Sequence, residues 1–244
     1  MEIIGSGFIA ANLRPIDRRH PAATVLAAGV SSTRVRDDAA FSRERDLVHE
    51  TVKRCARDGR TVVFLSTASH TMYGLSEIPA REDADVAPDS PYGKHKLGLE
   101  QVVAESGAPW LVLRLSHVVG AAQPAHQLLP AFINQVRRGV VRVYRGAHRD
   151  LVDILDVVRA IDGLLEQRVR DEVVNVASGV PHPVPAIVRE VERRLDLAPR
   201  HEVIDAPAIT RVSIEKVCAL LPALRSVSDE SYLTRVLDRY VPAY

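Results

Sequence analysis

A tyrosine and a lysine four positions apart, Tyr92 and Lys96, are the residues of this chain whose types and spacing point most directly to chemistry. On a helix, side chains four positions apart lie on one face, so these two are neighbours. A phenol has a pKa of roughly 10, but a nearby ammonium group favours the phenolate and lowers that pKa. Such a tyrosine can exchange a proton with a carbonyl or an alcohol. Taken alone, the pair is more typical of an ordinary helix start, here after Ser90 and Pro91.

A cluster of hydroxyl side chains is the second candidate for chemistry. Residues 61–65 form a continuous apolar run that predicts a buried parallel strand, and Thr67 and Ser69 follow it closely. Ligands of open α/β sheets bind beyond the carboxyl ends of the strands, which is where these hydroxyls would lie. The alternative is that they only cap local backbone groups.

A glycine-rich segment near the start of the chain predicts a nucleotide-binding loop. Residues 5–10 read G-x-G-x-x-A after a short apolar run, with a helical pattern following. The candidate cofactor contacts in this loop are Gly5, Ser6, Gly7, Phe8 and Ile9. The acidic residue expected about 20 positions later is missing, because residues 14–23 are polar and contain proline. We therefore interpret residues 23–30 as a later strand, with one strand–helix–strand segment missing or much reduced.

The remaining elements alternate between strands and helices, which predicts an α/β fold with a Rossmann-like parallel sheet and helices on both faces. The sheet is shortened in its first half, and a small C-terminal substrate lobe follows. Residues 1–120, with a strand near 172–178, form the predicted cofactor-binding domain, and residues 121–244 form mainly the substrate lobe. The other predicted elements are strands at 110–115 and 172–176, helices at 41–58, 92–105, 127–138, 154–167, 184–195, 213–221 and 231–241, and a loop at 75–91.

Composition excludes several classes of function. The net charge of +1, from 32 basic and 31 acidic residues, lacks the basic footprint of a nucleic-acid binder. Only Cys55 and Cys218 are present, so a disulfide framework is not expected. The histidines show no metal-ligand spacing, and we predict no metal site. No apolar run suits a membrane span, and Gly5 comes too early for a signal peptide, so a cytoplasmic protein without a membrane partner is expected.

Taken in order along nearly the whole chain, these motifs resemble the extended short-chain dehydrogenase/reductase family, in particular its nucleotide-sugar epimerases, dehydratases and ketoreductases. The matching segments are Gly5–Ala10, Leu26–Gly29, Ser66-Thr67, Met72–Gly74, Tyr92–Lys96, Leu113–Gly120, Arg149–Asp156 and Val174–Gly179.

The resemblance implies a role for each member of the catalytic group. Tyr92 would exchange a proton with the C4 oxygen of a sugar, while Lys96 would lower the pKa of Tyr92 and bind the nicotinamide ribose. A hydroxyl would hold the same oxygen. Thr67 is favoured by its distance from Tyr92, but Ser69 fits when positions are counted back from Tyr73-Gly74.

The residues after Thr67 bear on the reaction. Family dehydratases carry an acidic pair there, whereas this chain has Ala68 and Ser69, and neither is a general acid. A 4-epimerase must retain its cofactor, and tight retention usually depends on the full adenosine pocket. The shortened first half of the sheet reduces that pocket, so an epimerase is less well supported. The hypothesis is reduction of the C4 carbonyl of a nucleotide-linked, by analogy dTDP-linked, 4-keto-6-deoxyhexose in deoxysugar and natural-product biosynthesis. The alternatives are a 4-epimerase, a 3,5-type epimerase-reductase, and a cofactor-free binding protein.

The resemblance also extends to the cofactor, the substrate and the assembly. NADP(H) is favoured over NAD(H), because stand-alone reductases usually draw on NADPH and two arginines could pair with a 2′-phosphate. Arg149 would contact a sugar-nucleotide phosphate, although an arginine beside an aspartate is commonly a surface pair. Family relatives often dimerise through the tyrosine-bearing helix and the one before it, which implies a homodimer. The remaining candidates are Ala27, Ala28, Gly29 and His117 for the cofactor, Arg34 and Arg36 for its 2′-phosphate or as solvated loop residues, and Gln127 and Leu128 for the nucleotide pocket.

Overall fold

Short apolar segments spread over the first three quarters of the chain pair into one parallel sheet. The computed structural model describes residues 1–31 and 37–244. The strand order in this sheet is β1-β2-β3-β5-β8, and every pairing is parallel. The strands are β1 (Glu2–Ile4), β2 (Ala23–Leu26), β3 (Thr61–Thr67), β4 (Ser76–Ala80), β5 (Trp110–Leu115), β6 (His117–Val119), β7 (Val140–Asp153), β8 (Glu172–Val176), β9 (Pro181–Pro183), β10 (Arg200–Ala208) and β11 (Thr210–Val212).

Helices cover both faces of this sheet, as the fold class requires. The two that matter most for the site have ends set by their sequence. The longest helix begins after Asp37, whose carboxylate accepts a hydrogen bond from Ala39 N, and ends at Gly59 in the left-handed conformation. The helix that carries the tyrosine begins after Ser90 with Pro91 in its first turn. The helices are α1 (Phe8–Leu13), α2 (Asp38–Asp58), α3 (His70–Tyr73), α4 (Pro91–Ala104), α5 (Leu128–Arg137), α6 (Ile154–Glu166), α7 (Val184–Leu195), α8 (Glu215–Leu220) and α9 (Tyr232–Tyr240).

The first half of the sheet is shortened, as the sequence predicted. Residues 5–22, all described, hold α1 and a 3₁₀ turn over Arg14–Arg19 but no strand. β1 therefore pairs directly with β2 and forms one edge of the sheet. The strand predicted over residues 23–30 ends at Leu26, because the chain turns at Gly29 with a φ of +130°.

A second, smaller sheet was not predicted. The long strand β7 pairs with β10 and β6 in parallel and with β9 in antiparallel fashion. Its apolar pattern is interrupted by exposed Arg142 and Arg145, which hid it from the sequence analysis. The prediction of a loop over residues 75–91 was also wrong in part, because that segment contains β4. This mostly exposed strand is specified by pairing with the distant β11 rather than by an apolar pattern of its own.

Two apolar clusters cover opposite faces of the main sheet. One packs α2 and α4 against β2, β3 and β5 through residues such as Val48, Phe64 and Leu99. The other, much larger cluster continues from β3 and β5 through α6 to α5, α7 and α9 in the C-terminal half. The division into residues 1–120 and 121–244 stays a prediction, and a shared core joins the two parts.

Candidate active site

Helix α4 places Tyr92 and Lys96 on its buried face. The Ser90 hydroxyl accepts a hydrogen bond from Gly93 N at 3.0 Å and fixes the start of the helix. Only 6% of the surface of Tyr92 and 5% of that of Lys96 is exposed, and the tyrosine ring packs with Val30 and Phe41. The pair therefore faces the interior of the protein, unlike an ordinary surface helix start.

The ammonium group of Lys96 is held in an ion pair. Its Nζ atom donates to Glu44 Oε1 at 2.7 Å and to the Leu65 carbonyl oxygen at 3.4 Å, and it lies 5.1 Å from the centre of the Phe64 ring. Both charged side chains are almost fully buried. A buried ammonium needs such a partner, because leaving an unpaired charge in the interior costs several kcal/mol.

Glu44 binds three groups at once. Its Oε2 atom accepts from Val30 N at 2.9 Å, and the Nε2 atom of His95 lies 2.9 Å from the same oxygen. Burial opposes ionisation of the carboxyl, but the contacts with His95, Lys96 and Val30 outweigh burial and hold the pKa of Glu44 at about 2. Glu44 is therefore a carboxylate at neutral pH.

Glu44 was missed by the sequence analysis, although a signal for it exists. The buried positions of α2 include Phe41, Glu44, Val48 and Val52, so the carboxyl occupies a place on the apolar stripe of the helix. A charged residue on such a stripe is almost never fully buried unless it is paired. That pattern could have marked Glu44 as the partner of a buried cation.

The hydroxyl groups beyond β3 form a hydrogen-bonded chain. Thr67 Oγ1 donates to Ser69 Oγ at 3.0 Å, and Ser69 Oγ lies 2.6 Å from Thr71 Oγ1. The Thr67 hydroxyl favours the phenolate of Tyr92 and acts to lower the pKa of that tyrosine. Ser69 and Thr71 continue the chain from Thr67, and Thr71 is a member that the sequence did not single out.

The protonation of Tyr92 is set by opposing influences. Burial has the largest effect and raises the pKa of Tyr92, the charge of Lys96 lowers it, the charge of Glu44 raises it, and the nearby hydroxyl of Thr67 lowers it. The net result is a pKa above the ordinary value of 10.0. Lys96 thus acts in the predicted direction but is outweighed, and the phenol keeps its proton at neutral pH.

The glycine loop lies between β1 and α1, as predicted. Gly5 has a φ of +129°, and a Cβ atom there would lie 2.5 Å from the Ala27 carbonyl oxygen, so glycine is required by the close approach of the β2 turn. At Gly7 a Cβ atom would meet nothing within 4 Å. The loop therefore has open space at Gly7, Phe8 begins α1, and Ile9 packs on the core.

The turn after β2 connects the glycine loop to the ion pair of Lys96 and Glu44. Ala27 N donates to the Ile4 carbonyl oxygen at 2.9 Å, which ties the turn to the end of β1. A Cβ atom at Gly29 would lie 2.2 Å from Glu44 Oε1, so only glycine leaves room for the carboxylate. Of the predicted contacts Ala27, Ala28 and Gly29, Gly29 thus borders the Lys96 ion pair, while Ala27 and Ala28 lie against Gly5. Arg34 and Arg36 lie outside the described residues.

A second group of polar side chains lines a small cleft next to the hydroxyl chain. Ser69 borders it, together with His70, His117, His148 and Arg149. The Nη1 atom of Arg149 donates to the His148 carbonyl oxygen at 2.6 Å, and within the described ranges no carboxylate forms a salt bridge with this guanidinium. Burial lowers the pKa of Arg149.

His117 lies on β6, beside β7, which carries Arg149. Burial is the main cause that lowers the pKa of His117, to about 3, and the charge of Arg149 acts in the same direction. His117 is therefore a neutral imidazole at neutral pH. It borders the cleft with Arg149, whereas its predicted contact with the cofactor stays a prediction.

Asp150 anchors the far side of this cleft. Its carboxylate accepts hydrogen bonds from Ser178 N and Gly179 N, each at 2.8 Å, and from Ser178 Oγ at 2.9 Å. Burial raises its pKa to about 6 in spite of these donors. Asp150 is thus bound to the segment after β8 and does not pair with Arg149, contrary to the alternative of an arginine–aspartate surface pair.

The two remaining predicted residues lie at the start of α5. Gln127 directly precedes the helix and its Oε1 atom accepts from Gln123 Nε2 at 2.7 Å, while Leu128 is partly buried against the main core. Their role in a nucleotide pocket stays a prediction.

The described residues contain no group of three or more histidine, cysteine, aspartate and glutamate side chains that could hold a metal ion. In the same part of the chain, no helix is both long enough and apolar enough to cross a membrane.

Comparison with known proteins identifies relatives that act on nucleotide sugars. The chain is 24% identical over 154 residues to the dTDP-4-dehydro-6-deoxyglucose reductase of Escherichia coli, covering 59% of this chain and 49% of that protein. It is 35% identical over 121 residues to the dTDP-6-deoxy-L-talose 4-dehydrogenase (NAD(P)(+)) of Kitasatospora kifunensis, covering 44% of this chain and 38% of that one. The chain thus spans about half or less of the length of these curated relatives.

A solved structure with the same fold is that of MoeE5 in complex with UDP-glucose and NAD. It superposes with a TM-score of 0.81 over 99% of this chain and 96% of that chain, at 20% sequence identity. This likeness confirms the predicted Rossmann-like α/β fold.

The sequence model of one family matches most of the chain and includes the turn after β2, the hydroxyl chain, the tyrosine–lysine pair and most of the cleft residues. The match covers residues 10–177 and is to the NAD dependent epimerase/dehydratase family. Because this match covers more than half of its length, this chain belongs to that family, as its resemblance to the extended short-chain dehydrogenase/reductases predicted.

Proposed function

We propose that this protein reduces the C4 carbonyl of a nucleotide-linked 4-keto-6-deoxyhexose, with hydride from a nicotinamide cofactor and a proton from Tyr92. The observation that carries the proposal is the phenol of Tyr92, which is buried on the same helix face as Lys96 and whose pKa is raised by burial. A phenol that keeps its proton at neutral pH suits the proton donor of a reduction better than the base of an oxidation. The relative from Escherichia coli is named as a reductase of a dTDP-linked 4-dehydro sugar, which supports this direction.

In the proposed reaction, the carbonyl π bond breaks as hydride adds to C4 and the Tyr92 proton adds to the oxygen. A bound nicotinamide would supply the hydride that reduces the carbonyl carbon, and the phenolate left on Tyr92 would regain a proton from solvent. The single hydroxyl proton of Thr67, which is donated to Ser69 in the structure, would turn to the same oxygen when the sugar binds, while Ser69 and Thr71 hold Thr67 in place through the hydroxyl chain. The ammonium of Lys96 stabilises the phenolate as it forms.

The residues present fit a dinucleotide at its nicotinamide end. The open space at Gly7 and the turn of Ala27, Ala28 and Gly29 lead from the glycine loop to the Lys96 ion pair. When bound, a reduced nicotinamide supplies the hydride. The short first half leaves few elements for the adenosine end, which suits a cofactor that binds and leaves in each turnover. NADPH is proposed over NADH, as a stand-alone reductase would use.

We place the nucleotide of the substrate in the cleft of Arg149. A half-buried guanidinium without a carboxylate partner among the described residues favours an anion, and a diphosphate offers bidentate acceptors. His117 would border the sugar or the cofactor, and Gln127 and Leu128 would line the base pocket. dTDP is proposed because two relatives are named for dTDP-linked sugars. A homodimer through α2 and α4 and a cytoplasmic location complete the proposal, and sedimentation would test the dimer.

A 4-epimerase on the same scaffold is the competing reaction. Dehydration is less well supported, because Ala68 and Ser69 offer no general acid beside Thr67. A single assay distinguishes reduction at C4 from epimerisation at C4. The purified protein is incubated with a dTDP-4-keto-6-deoxyhexose and NADPH, the absorbance of reduced nicotinamide is followed, and the product is analysed by NMR.

Loss of the absorbance together with a 4-hydroxy product supports reduction. An unchanged absorbance contradicts it. Inversion at C4 of a dTDP- or UDP-hexose without net use of cofactor would favour the epimerase.

The variant Tyr92→Phe tests the assigned proton donor. Removing the phenolic proton should lower kcat by about 10²–10⁴-fold, the contribution of positioned acid catalysis, while the fold stays intact. The matched control is Tyr240→Phe, which removes another phenol that is hydrogen-bonded to Asp153 in the C-terminal half. Turnover of Tyr92→Phe within a few-fold of the unaltered protein would remove Tyr92 from the mechanism.

A further inference from the structure

Helix α4 carries a further buried polar side chain one turn beyond the tyrosine–lysine pair. Glu100 follows Lys96 by four positions, as Lys96 follows Tyr92, so the three side chains lie along one face of the helix. Only 5% of the surface of Glu100 is exposed. A carboxylate at this depth needs partners, because an unpaired charge in the interior is strongly destabilising. Glu100 finds its partners on two strands of the main sheet.

Arg114 on β5 and Ser66 on β3 bind this carboxylate. The guanidinium donates from Nη2 to Glu100 Oε2 at 2.7 Å and from Nε to Oε1 at 3.1 Å, and the Ser66 hydroxyl donates to Oε1. All three side chains are buried. Ser66 and Arg114 are partners in the register of the two strands, so the bonds join α4 to the carboxyl ends of β3 and β5.

The same guanidinium also binds the end of α3. Its Nη1 atom donates to Tyr73 Oη at 2.9 Å, and that phenol donates to Asn175 Oδ1 on β8 at 2.7 Å. The central carbon of the guanidinium lies 5.1 Å from the centre of the Tyr73 ring. The planar guanidinium of Arg114 thus joins Glu100 to Tyr73 through separate nitrogen atoms.

These side chains bridge the two ends of the segment that carries the hydroxyl chain. Ser66 directly precedes that segment, residues 67–72, and Tyr73 directly follows it. Between them the chain leaves β3 and forms α3. We refer to the four bridging residues as the clamp, and they are Ser66, Glu100, Arg114 and Tyr73. Because one member of the clamp belongs to α4, the clamp also ties this segment to the helix that carries the catalytic tyrosine.

Stability alone gives no reason for a buried network of this kind. Well-packed apolar residues in place of a buried ion pair are often as stable or more stable. Hydrogen bonds differ from apolar contacts because they restrict both distance and angle. A buried polar network whose members bond to one another therefore suits a place where the position of neighbouring groups matters.

We propose that the clamp residues are positioning residues, which hold the hydroxyl chain where it meets the carbonyl oxygen that Tyr92 protonates. This inference rests on the proposed function, because it gives the clamp a task in that reaction. The clamp acts through the backbone of residues 67–72 and through α4. When the clamp is opened, the substrate should still bind, but its carbonyl should meet a misplaced hydroxyl. That change lowers kcat and leaves KM little changed.

Opening the clamp at either end tests this role. Ser66→Ala and Tyr73→Phe each remove one hydroxyl and keep the rest of the shape. Each should lower kcat by about ten- to a hundredfold, with KM little changed, in the reduction of a dTDP-4-keto-6-deoxyhexose by NADPH. Because both changes open the same bridge, the loss of kcat in the double variant should be far smaller than the product of the two single losses.

The matched control is Tyr232→Phe. This buried phenol in the C-terminal half also donates one hydrogen bond and accepts another, from groups outside the clamp. Its removal should leave kcat unchanged under conditions where the protein is folded. Combined with Tyr73→Phe, it should add no loss of kcat beyond that of Tyr73→Phe alone.

Hydrogen exchange gives a second readout, which needs neither sugar nor nicotinamide. The backbone of the clamped segment is bonded within itself and to β5, for example from Ala68 N to the Leu115 carbonyl oxygen at 2.8 Å. Amide hydrogens in such bonds exchange when the segment opens locally. The amides of residues 68–72 should therefore exchange several-fold faster in both clamp variants and at an unchanged rate in the Tyr232→Phe control.

Full turnover in both single variants overturns the inference, as do losses of kcat that multiply in the double variant. Unchanged exchange of residues 68–72 in both clamp variants overturns it as well, whether or not the protein reduces the sugar. If the unaltered protein does not reduce the sugar, the proposed reaction fails, and the exchange experiment still decides whether the clamp holds the hydroxyl chain in place.

Discussion

At the scale of single residues, the site is defined by how its charges are paired. Lys96 has Glu44 as its partner, whereas Arg149 has a backbone carbonyl and no carboxylate among the described residues. A paired cation has most of its hydrogen bonds satisfied, while an unpaired and half-buried one is available to an anion. Lys96 is therefore held in place by Glu44, whereas Arg149 is available to bind an anionic ligand.

Arg149→Gln should weaken the binding of the nucleotide sugar. Losing charge-assisted hydrogen bonds of about 1.5–3 kcal/mol corresponds to a rise in KM of about ten- to a hundredfold, with kcat little changed. Steady-state kinetics measure both constants. The control is Arg145→Gln on the same strand, because Arg145 is exposed and paired with Asp205 across β10. An equal rise in KM for the two variants would refute the phosphate-binding role.

The carboxyl of Glu44 should make stability depend on pH in the acid range. Its pKa is about 2 in the folded protein against an ordinary value of 4.5, so the folded state favours the charged form. This stabilisation is fully present above about pH 4.5 and is lost as the pH falls through 2, and it amounts to about 3 kcal/mol. The difference in free energy of unfolding between the unaltered protein and Glu44→Gln should therefore shrink as the pH is lowered over that range.

Urea denaturation at a series of pH values measures that difference. Glu50→Gln, at an exposed position on the same helix, serves as the control and should show no such trend. A difference that stays constant from neutral pH to pH 2 would show that Glu44 is not held as a carboxylate.

At the scale of elements, a single glycine, Gly93, allows α4 to pack closely against α3. The carbonyl oxygen of Thr71 would lie 1.9 Å from a Cβ atom at Gly93, so α3 and α4 can pack only without a side chain at that position. Gly98 is on the same helix, and a Cβ atom there would meet nothing within 4 Å. The two glycines differ in their surroundings although both lie within the same helix.

Gly93→Ala should lower the free energy of unfolding by about 1–3 kcal/mol, the cost of forcing atoms into a packed contact. Gly98→Ala should instead raise it by about 0.5–1 kcal/mol, because alanine favours a helix over glycine. Denaturant unfolding of both variants tests the contrast. Effects of the same sign in the two variants would contradict the close packing of α3 on α4.

The sequence predicted the elements that carry strong local patterns and missed those that depend on distant partners. The buried run of β3 and the helical pattern of α4 were visible, and with them Thr67, Ser69, Tyr92 and Lys96. β4 and β10 were not visible, because most of their residues are exposed and their pairing partners lie elsewhere in the chain. Glu44 was overlooked for a similar reason, since its importance comes from Lys96, which lies on another helix.

At the scale of the whole molecule, hydrogen bonds hold the C-terminal helix α9 against the junction of β7 and α6. Tyr240 Oη donates to Asp153 Oδ1 at 2.6 Å, and Tyr232 Oη donates to Asp156 Oδ2 at 2.7 Å and accepts from Asp153 N at 2.8 Å. Asp153 and Asp156 are both buried. These bonds join the end of the chain to the core that both halves share.

Tyr240→Phe should lower the free energy of unfolding by about 1–3 kcal/mol, since a buried carboxylate oxygen loses a donor. Turnover under conditions where the protein is folded should not change, because the phenol lies far from Tyr92 in the chain and contacts none of the site residues. Thermal unfolding and kinetics measure the two effects. Unchanged stability would show that the bond to Asp153 contributes little to holding α9.

The lost outer strands leave β1 at the edge of the main sheet, and this has a consequence for solubility. An exposed edge can recruit a strand of another molecule and begin aggregation. β1 has only three residues, so it offers such a strand few backbone hydrogen bonds. The carboxylate of Glu2 on this strand also pairs with Arg54 at 2.8 Å and places charge at the edge. The short length of β1 and the charges of Glu2 and Arg54 therefore protect this exposed edge of the main sheet from pairing with a strand of another molecule.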